Sequence, residues 1–372
     1  MDFAFKFIVR LFITMIISLV LTPFIKLLAF KIGAADKPGA RRINTKIMPT
    51  AGGLSIFISF SFSVLYLFRD TFAFTTMMPM ILGALIVVVT GLIDDIWELK
   101  PYQKMLGLLL AALEIYFFAG IQIKSFTLPF LGHIELGWLG LPMTILWILA
   151  ITNSVNLIDG LDGLASGVSM IALVTIGIIG YFFLPNTGAY VAMMIFALVA
   201  AIAGFFPYNF YPATIYLGDT GALFLGFMIS VLSLQGLKNA TFITMLTPMF
   251  ILGVPITDTV YAMIRRKFNK QPISSADKMH LHHRLLSLGF THRGAVLTIY
   301  ALALVFSFIA LLMNYASTWA TILLIISSAI GLELFIELIG LVGENRQPLM
   351  RTLKFIGNRK YRQEVLERNK RK

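Results

Sequence analysis

Between residues 163 and 218 the chain reads GLASGVSMIALVTIGIIGYFFLPNTGAYVAMMIFALVAAIAGFFPYNFYPATIYLG, without one charged side chain. A helix needs roughly 20 apolar residues to cross the hydrocarbon core of a bilayer, so this run must hold two crossings. The turn signal Pro185-Asn186-Thr187-Gly188 marks the break between them. Gly294 to Leu332 is a second run of this kind, divided around Asn314 to Ser317, and the shorter runs Ile47 to Phe68, Thr71 to Ile93, Thr220 to Leu237 and Asn239 to Thr257 are also free of charge. Over all 372 residues, 58% of side chains are hydrophobic and 13% charged, too few for a soluble surface.

Eleven candidate spans follow, near 6–30, 50–68, 72–93, 104–120, 141–158, 164–184, 189–206, 219–236, 241–262, 294–313 and 318–340. The runs are continuously apolar, with no period of two, which argues against a β-barrel. The first is too long for a secretory signal and lacks a small-residue cleavage site, so it reads as a retained helix. The predicted fold is all-α: a polytopic transmembrane bundle of about ten to eleven spans, forming one domain over 1–340, with a basic tail over 341–372.

Assigning the connections alternately to two sides gives an orientation. One side collects Lys31, Lys37, Arg41, Arg42, Lys46, Lys100, Lys104, the cations of 263–293 and the whole basic tail; the other takes Arg69, Lys124 and Lys238. The cation-rich side is predicted to be cytoplasmic and the N-terminus external, with Lys6 and Arg10 as the dissenting residues. The net charge of +12 is then a topology signal and an attraction to anionic membrane lipids, not a nucleic-acid footprint. Zero cysteines exclude disulfides, thiol catalysis and Cys-ligated metal.

Ionisable residues at membrane helix ends are costly and need a reason. Asp94, Asp95, Asp159, Asp162, Asp219 and Asp258 all fall at span ends on the predicted cytoplasmic side. Asp94-Asp95 precedes Lys100 and Lys104, and adjacent carboxylates need a lysine or divalent metal beside them. In Asn156-Leu157-Ile158-Asp159-Gly160-Leu161-Asp162-Gly163 the polar residues recur every third position. They line one face if the fifth helix continues that far, and otherwise form a glycine-rich turn. Tyr208-Asn209 and Tyr216-Leu217-Gly218-Asp219-Thr220-Gly221 place an acid at a helix start, where N–H groups can receive phosphate and the carboxylate a hard cation. His280-Leu281-His282-His283-Arg284 supplies imidazoles for metal, protons or phosphate. This inventory suits phosphoryl transfer, where positioning and charge neutralisation carry catalysis.

At these residues, and at Pro49-Thr50-Ala51-Gly52-Gly53, the chain resembles the polyprenyl-phosphate N-acetylhexosamine-1-phosphate transferases, five motifs in the same order over nearly its whole length. The resemblance implies transfer of a sugar 1-phosphate from a UDP-sugar to undecaprenyl phosphate with release of UMP. It implies Mg2+ as cofactor, with Mn2+ a candidate substitute, and a cytoplasm-facing site in a bacterial cell membrane. It makes Asp219 the expected metal ligand and Asp94 the contact to the lipid phosphate, with Asp95, Lys46 and Lys104 completing a charged floor. Asn156, Asp159, Asp162 and Asn209 are expected at the nucleotide and Tyr216 against uracil. Arg265 and His280 are expected to bind substrate, and His282 and His283 to serve catalysis. Leu281 interrupts the histidines, as in the branch that uses UDP-N-acetylglucosamine to start wall teichoic acid, common antigen or O-antigen; three consecutive histidines mark the muramoyl-pentapeptide branch. A homodimer is a candidate assembly. The rival readings are a secondary transporter using Glu114, Glu333 and Glu337, and a scaffold without catalysis.

Overall fold

A computed structural model describes residues 3–38, 46–128, 132–184, 188–236, 242–268, 270, 279–341 and 347–363. Arg41, Arg42, Lys238, Lys278, the turn residues Pro185 to Thr187 and the basic end of the tail, 364–372, lie outside the described residues. In a bilayer every backbone polar group must be satisfied within the segment, so apolar runs of spanning length become helices. The order is α1 (Phe3–Ile32), α2 (Gly53–Phe62) continued by a π-helical stretch Ser63–Leu67, α3 (Phe74–Trp97), α4 (Pro101–Phe117), α5 (Gly140–Leu157), α6 (Leu164–Phe183) and α7 (Gly188–Asn209). It continues through α8 (Gly218–Gly236), α9 (Phe242–Ile251), α10 (Gly253–Phe268), α11 (Leu281–Ser287), α12 (His292–Tyr315), α13 (Thr318–Ile339) and α14 (Pro348–Gly357).

Each of the eleven candidate stretches coincides with helix, and eight helices among the described residues are long and apolar enough to cross a membrane. The stretch 241–262 departs from expectation: it divides at Leu252 into α9 and α10. Pro248 and Pro255 each lack a backbone donor, and the cations Arg265, Arg266 and Lys267 close α10. The bundle is not purely helical either. Two antiparallel ribbons lie in connections, β1 (Ala35–Asp36) with β2 (Met48–Pro49) and β3 (Ser125–Leu128) with β4 (Gly132–Glu135).

Helix α8 forms the centre, 83% buried over its spanning window, packed between α3 and α5, whereas α13 is only 17% buried and faces outward. Because lipid gives no hydrophobic drive between helices, close packing and polar contacts must hold them. Thr14 and Ser63 share a hydroxyl hydrogen bond of 2.6 Å, and the Thr22 hydroxyl donates to Ser55 Oγ at 3.1 Å, joining α1 to α2. At the start of α2 a Cβ on Gly53 would stand 2.1 Å from Gly221 Cα, so only glycine lets α2 and α8 begin side by side. Backbone bonds Gly52 N–H to Tyr216 O and Gly53 N–H to Leu217 O, both 3.0 Å, lock this junction. The Pro49–Gly53 motif is thereby a hinge of packing beneath the acids.

At the opposite end Arg10 donates to Asp70 at 2.7 Å. This pairing, which also holds the Asp70 carboxyl below its ordinary range through the Arg10 hydrogen bond, explains one of the two cations that dissent from the orientation rule. A cation with its own anion beside it is a weak topology signal. Of the acids weighed for a transport path, Glu333 accepts the Tyr261 hydroxyl, and Glu337 accepts the Leu349 and Met350 N–H groups at 2.8 and 2.6 Å, capping α14. Glu114 is buried in α4 beside Gly83.

Candidate active site

The ends of α3, α4, α5 and α8 bring Asp94, Lys104, Asn156 and Asp219 together, although up to 125 positions of sequence separate members of the cluster. The Lys104 ammonium bridges two carboxylates, 2.5 Å from Asp94 Oδ2 and 2.9 Å from Asp219 Oδ2. Asn156 donates its amide N–H to Asp219 Oδ1. Asp94 Oδ1 accepts the Leu99 N–H at 2.6 Å, which closes the end of α3 and fixes the carboxylate. Lys104 is placed by the first turn of α4, started by Pro101 with Gln103 accepting the Lys100 N–H at 2.9 Å.

Asp95 has a different position. Its Oδ1 accepts the Asp219 N–H at 3.0 Å, and its Oδ2 accepts the Thr220 N–H at 3.0 Å and the Thr220 hydroxyl at 2.5 Å. Two N–H groups at the start of α8, where phosphate was expected from sequence, are therefore taken by Asp95. It acts as a cap in trans that aims Asp219, and Thr220 is a partner the sequence reading missed.

Helix α5 ends at Leu157, so Asn156, Asp159 and Asp162 do not share a helix face. Residues 158–163 form a turn, the alternative reading, with Gly163 at φ 77°. Asp162 Oδ2 accepts the Ala213 N–H at 2.9 Å, tying this turn to the segment before α8. Burial raises the Asp159 carboxyl well above its ordinary range, and Asp219, Asp95 and Asp162 add to the effect. A carboxyl raised in this way is held toward its neutral form, and a cation joining the site would act in the opposite direction. Burial, then Asp162 and Asp159, push the Tyr216 phenol up to about 12, leaving it a protonated donor facing the same acids.

The histidine helix α11 closes over the turn. A Cβ on Gly160 would meet His282 Nε2 at 2.2 Å, so the missing side chain is what admits the imidazole. Burial first, and the neighbouring His283, His280 and His292 next, press His282 down to about 3, so its ring is neutral near pH 7. An anionic ligand beside it would act in the opposite direction. His283 lies 4.2 Å from His282, ring centre to ring centre. From α12, His292 Nε2 accepts the Asp162 N–H at 3.0 Å, and the Tyr300 hydroxyl donates to Gly163 O at 2.5 Å. Neither was singled out from sequence; the signal was Thr291, whose side chain caps α12 and sets His292 at its first position.

Asn209 and Arg265, both expected at the substrate, make contacts within the scaffold. Asn209, 3% exposed, accepts the Ser166 hydroxyl at 2.7 Å and donates to Ile215 O at 3.2 Å, so both ends of its amide are used. Arg265 is buried and donates to Leu341 O at 2.9 Å, and Arg284 donates to Ile339 O at 2.5 Å, so the two satisfy carbonyls at the end of α13. Lys46 is exposed just before β2.

The donor set fits a hard divalent cation. Asp219 and Asp94 already share one positive group, and Mg2+ is commonly held by one or two carboxylates with substrate phosphates and water completing the shell. Among the described residues no group of three or more acids or histidines is placed to hold a metal ion.

Comparison with known proteins gives the family. The model of glycosyl transferase family 4 matches residues 77–237, which hold the acids from Asp94 to Asp219. A probable undecaprenyl-phosphate N-acetylglucosaminyl 1-phosphate transferase of Bacillus subtilis (strain 168) is 42% identical over 94% of this chain and 96% of its own length. A decaprenyl-phosphate N-acetylglucosaminephosphotransferase of Mycolicibacterium smegmatis is 32% identical over 77% of this chain and 76% of its own. A phospho-N-acetylmuramoyl-pentapeptide-transferase of Halalkalibacterium halodurans is 28% identical over 83% of this chain and 95% of its own. With 42% identity to the first over nearly the full length of both chains, and its acids gathered at one end of a membrane bundle, the chain belongs to the polyprenyl-phosphate N-acetylhexosamine-1-phosphate transferases of glycosyl transferase family 4, in the N-acetylglucosaminyl branch.

Proposed function

We propose that this protein transfers N-acetylglucosamine 1-phosphate from UDP-N-acetylglucosamine to undecaprenyl phosphate at the cytoplasmic face of a bacterial membrane, releasing UMP. The observation that carries the reading is the Asp94–Lys104–Asp219 bridge at the end of a lipid-facing bundle. An oxygen of the lipid phosphate forms a bond to the sugar-bearing phosphorus, and the bond from that phosphorus to the bridging oxygen breaks as UMP leaves. Two anions must approach each other, so charge neutralisation dominates the barrier. Mg2+ held at Asp219 supplies that neutralisation for the diphosphate when bound. Lys104 holds Asp94 in place, and Asp94 takes the remaining proton of the lipid phosphate. Asn156 and the cap by Asp95 keep Asp219 aimed. Tyr216 offers a protonated hydroxyl and ring to the nucleotide, and the histidines of α11 face the donor across Gly160. Purified protein is expected to release UMP from the UDP-sugar only when polyprenyl phosphate is present, and to stop on chelation; release without the lipid would mark a hydrolase instead.

The orientation carries its own test. The chain has no native cysteine, so single cysteines report cleanly. Cysteines at 98 and 360 should react with an impermeant reagent only from the cytoplasm, and those at 70 and 133 only from outside. External labelling at 98, beside Asp94, would remove the acids from cytosolic nucleotide sugars.

A further inference from the structure

Asp258 stands out in the sequence as one of the six acids, yet it takes no part in the carboxylate cluster. It lies in α10, 2% exposed, with both oxygens turned to α11. Oδ1 accepts the Leu281 N–H at 2.8 Å, and Oδ2 lies 2.9 Å from His280 Nδ1. With Asp258 as the acceptor, Nδ1 is the protonated nitrogen of this pair and Nε2 is the one Asp258 does not hold. The His280 ring lies parallel to that of His282, 6.1 Å between centres with 3° between planes, and His282 rests on Gly160 of the turn that carries Asp159 and Asp162. Asp258 thus sets the ring at the near end of a histidine row that runs to the acids.

We propose that Asp258 is a positioning residue: it fixes His280 with Nδ1–H toward itself and directs Nε2 to the diphosphate of the nucleotide sugar. The assignment rests on the transferase reading above. With Nδ1 held by a buried anion, a proton on Nε2 makes an imidazolium whose counterion is built in, so the ring offers a charged donor to phosphate and leaves neither nitrogen unpaired. A residue that only capped α11 would need the Leu281 contact alone.

Asp258→Asn separates the two roles. Its carbonyl still accepts the Leu281 N–H, but its amide donates to Nδ1 and moves the ring proton to Nε2. Imidazole 15N spectra of the full-length protein read this directly, since the chain has only five histidines and His280→Gln assigns the signal. The wild type should show the Nδ1–H form, and its Nε2 signal should move on addition of UDP. Asp258→Asn should show the Nε2–H form with kcat lower by about 10- to 100-fold, the range seen where a metal-ligating histidine loses the group that orients it. Asp258→Glu should restore the Nδ1–H form and part of the turnover. An Nε2–H wild type, a signal unmoved by UDP, or full turnover in Asp258→Asn despite the switched form would overturn the proposal. Should Asp258→Asn not fold, the wild-type form and its response to UDP decide alone. A wild type with the Nδ1–H form but no transfer activity would instead remove the transferase reading.

Discussion

Asp219→Asn is expected to lower turnover by on the order of 10³-fold, the upper range for removing one preorganised electrostatic group from an active site. The amide keeps the shape and can still accept from Asn156, so the fold should survive. What it loses is the charge that shares Lys104 with Asp94 and that would hold a divalent cation. A near-normal rate in saturating Mg2+, measured as UMP release, would take Asp219 out of the cation site. The same substitution at Asp94 should also stop transfer, yet leave binding of the UDP-sugar intact if Asp94 serves the lipid phosphate.

Lys104→Gln should have the second largest effect, and it acts on stability as well as rate. Its ammonium is the group that lets Asp94, 7% exposed on its side chain, sit within reach of Asp219. Removing one partner from such a pair costs about 3–5 kcal/mol when the other is left buried, and less here because Asp219 keeps 32% of its side-chain surface open. A divalent cation that binds the folded state can offset the loss by mass action. Melting in detergent should therefore show a lower Tm for Lys104→Gln than for the wild type, with a larger upward shift on adding Mg2+. Turnover should remain depressed, because the replaced lysine no longer positions Asp94. An equal Mg2+ shift in both proteins would contradict the shared-cation geometry.

Much of this architecture was written in the chain. Charge-free runs of spanning length become helices wherever lipid is the solvent, so Gly163 to Gly218 could be divided into α6 and α7 without coordinates. The acids were legible because charges at membrane helix ends are costly and these fall on one side. The directions of the side chains were not. Whether α5 ran on to Asp162 depended on two glycines that tolerate either helix or turn, and the contact of Asp162 with Ala213 settles it as a turn. The N–H groups at the start of α8 looked open to phosphate because nothing local reveals that Asp95, on another helix, occupies those of Asp219 and Thr220. Asn209 and Arg265 carry polar groups suited to a ligand, and only long-range packing shows the Asn209 amide bonded at both ends and an Arg265 N–H given to Leu341 O. His292 was hidden because a lone histidine at a helix start carries no periodic signal.

The identity of the group transferred follows from the His280-Leu281-His282-His283 pattern and from the relatives. A muramoyl-pentapeptide donor adds a lactyl group and a peptide that this arrangement must accommodate or exclude. The decisive measurement is mass spectrometry of lipid extracted after purified protein is incubated with undecaprenyl phosphate, Mg2+ and an equimolar mixture of UDP-N-acetylglucosamine and UDP-N-acetylmuramoyl-pentapeptide. The structure and its relatives predict undecaprenyl diphosphate carrying N-acetylglucosamine, with the second donor left untouched. A lipid carrying muramoyl-pentapeptide would contradict the donor assignment, and an unmodified lipid with both donors intact would contradict the transferase itself.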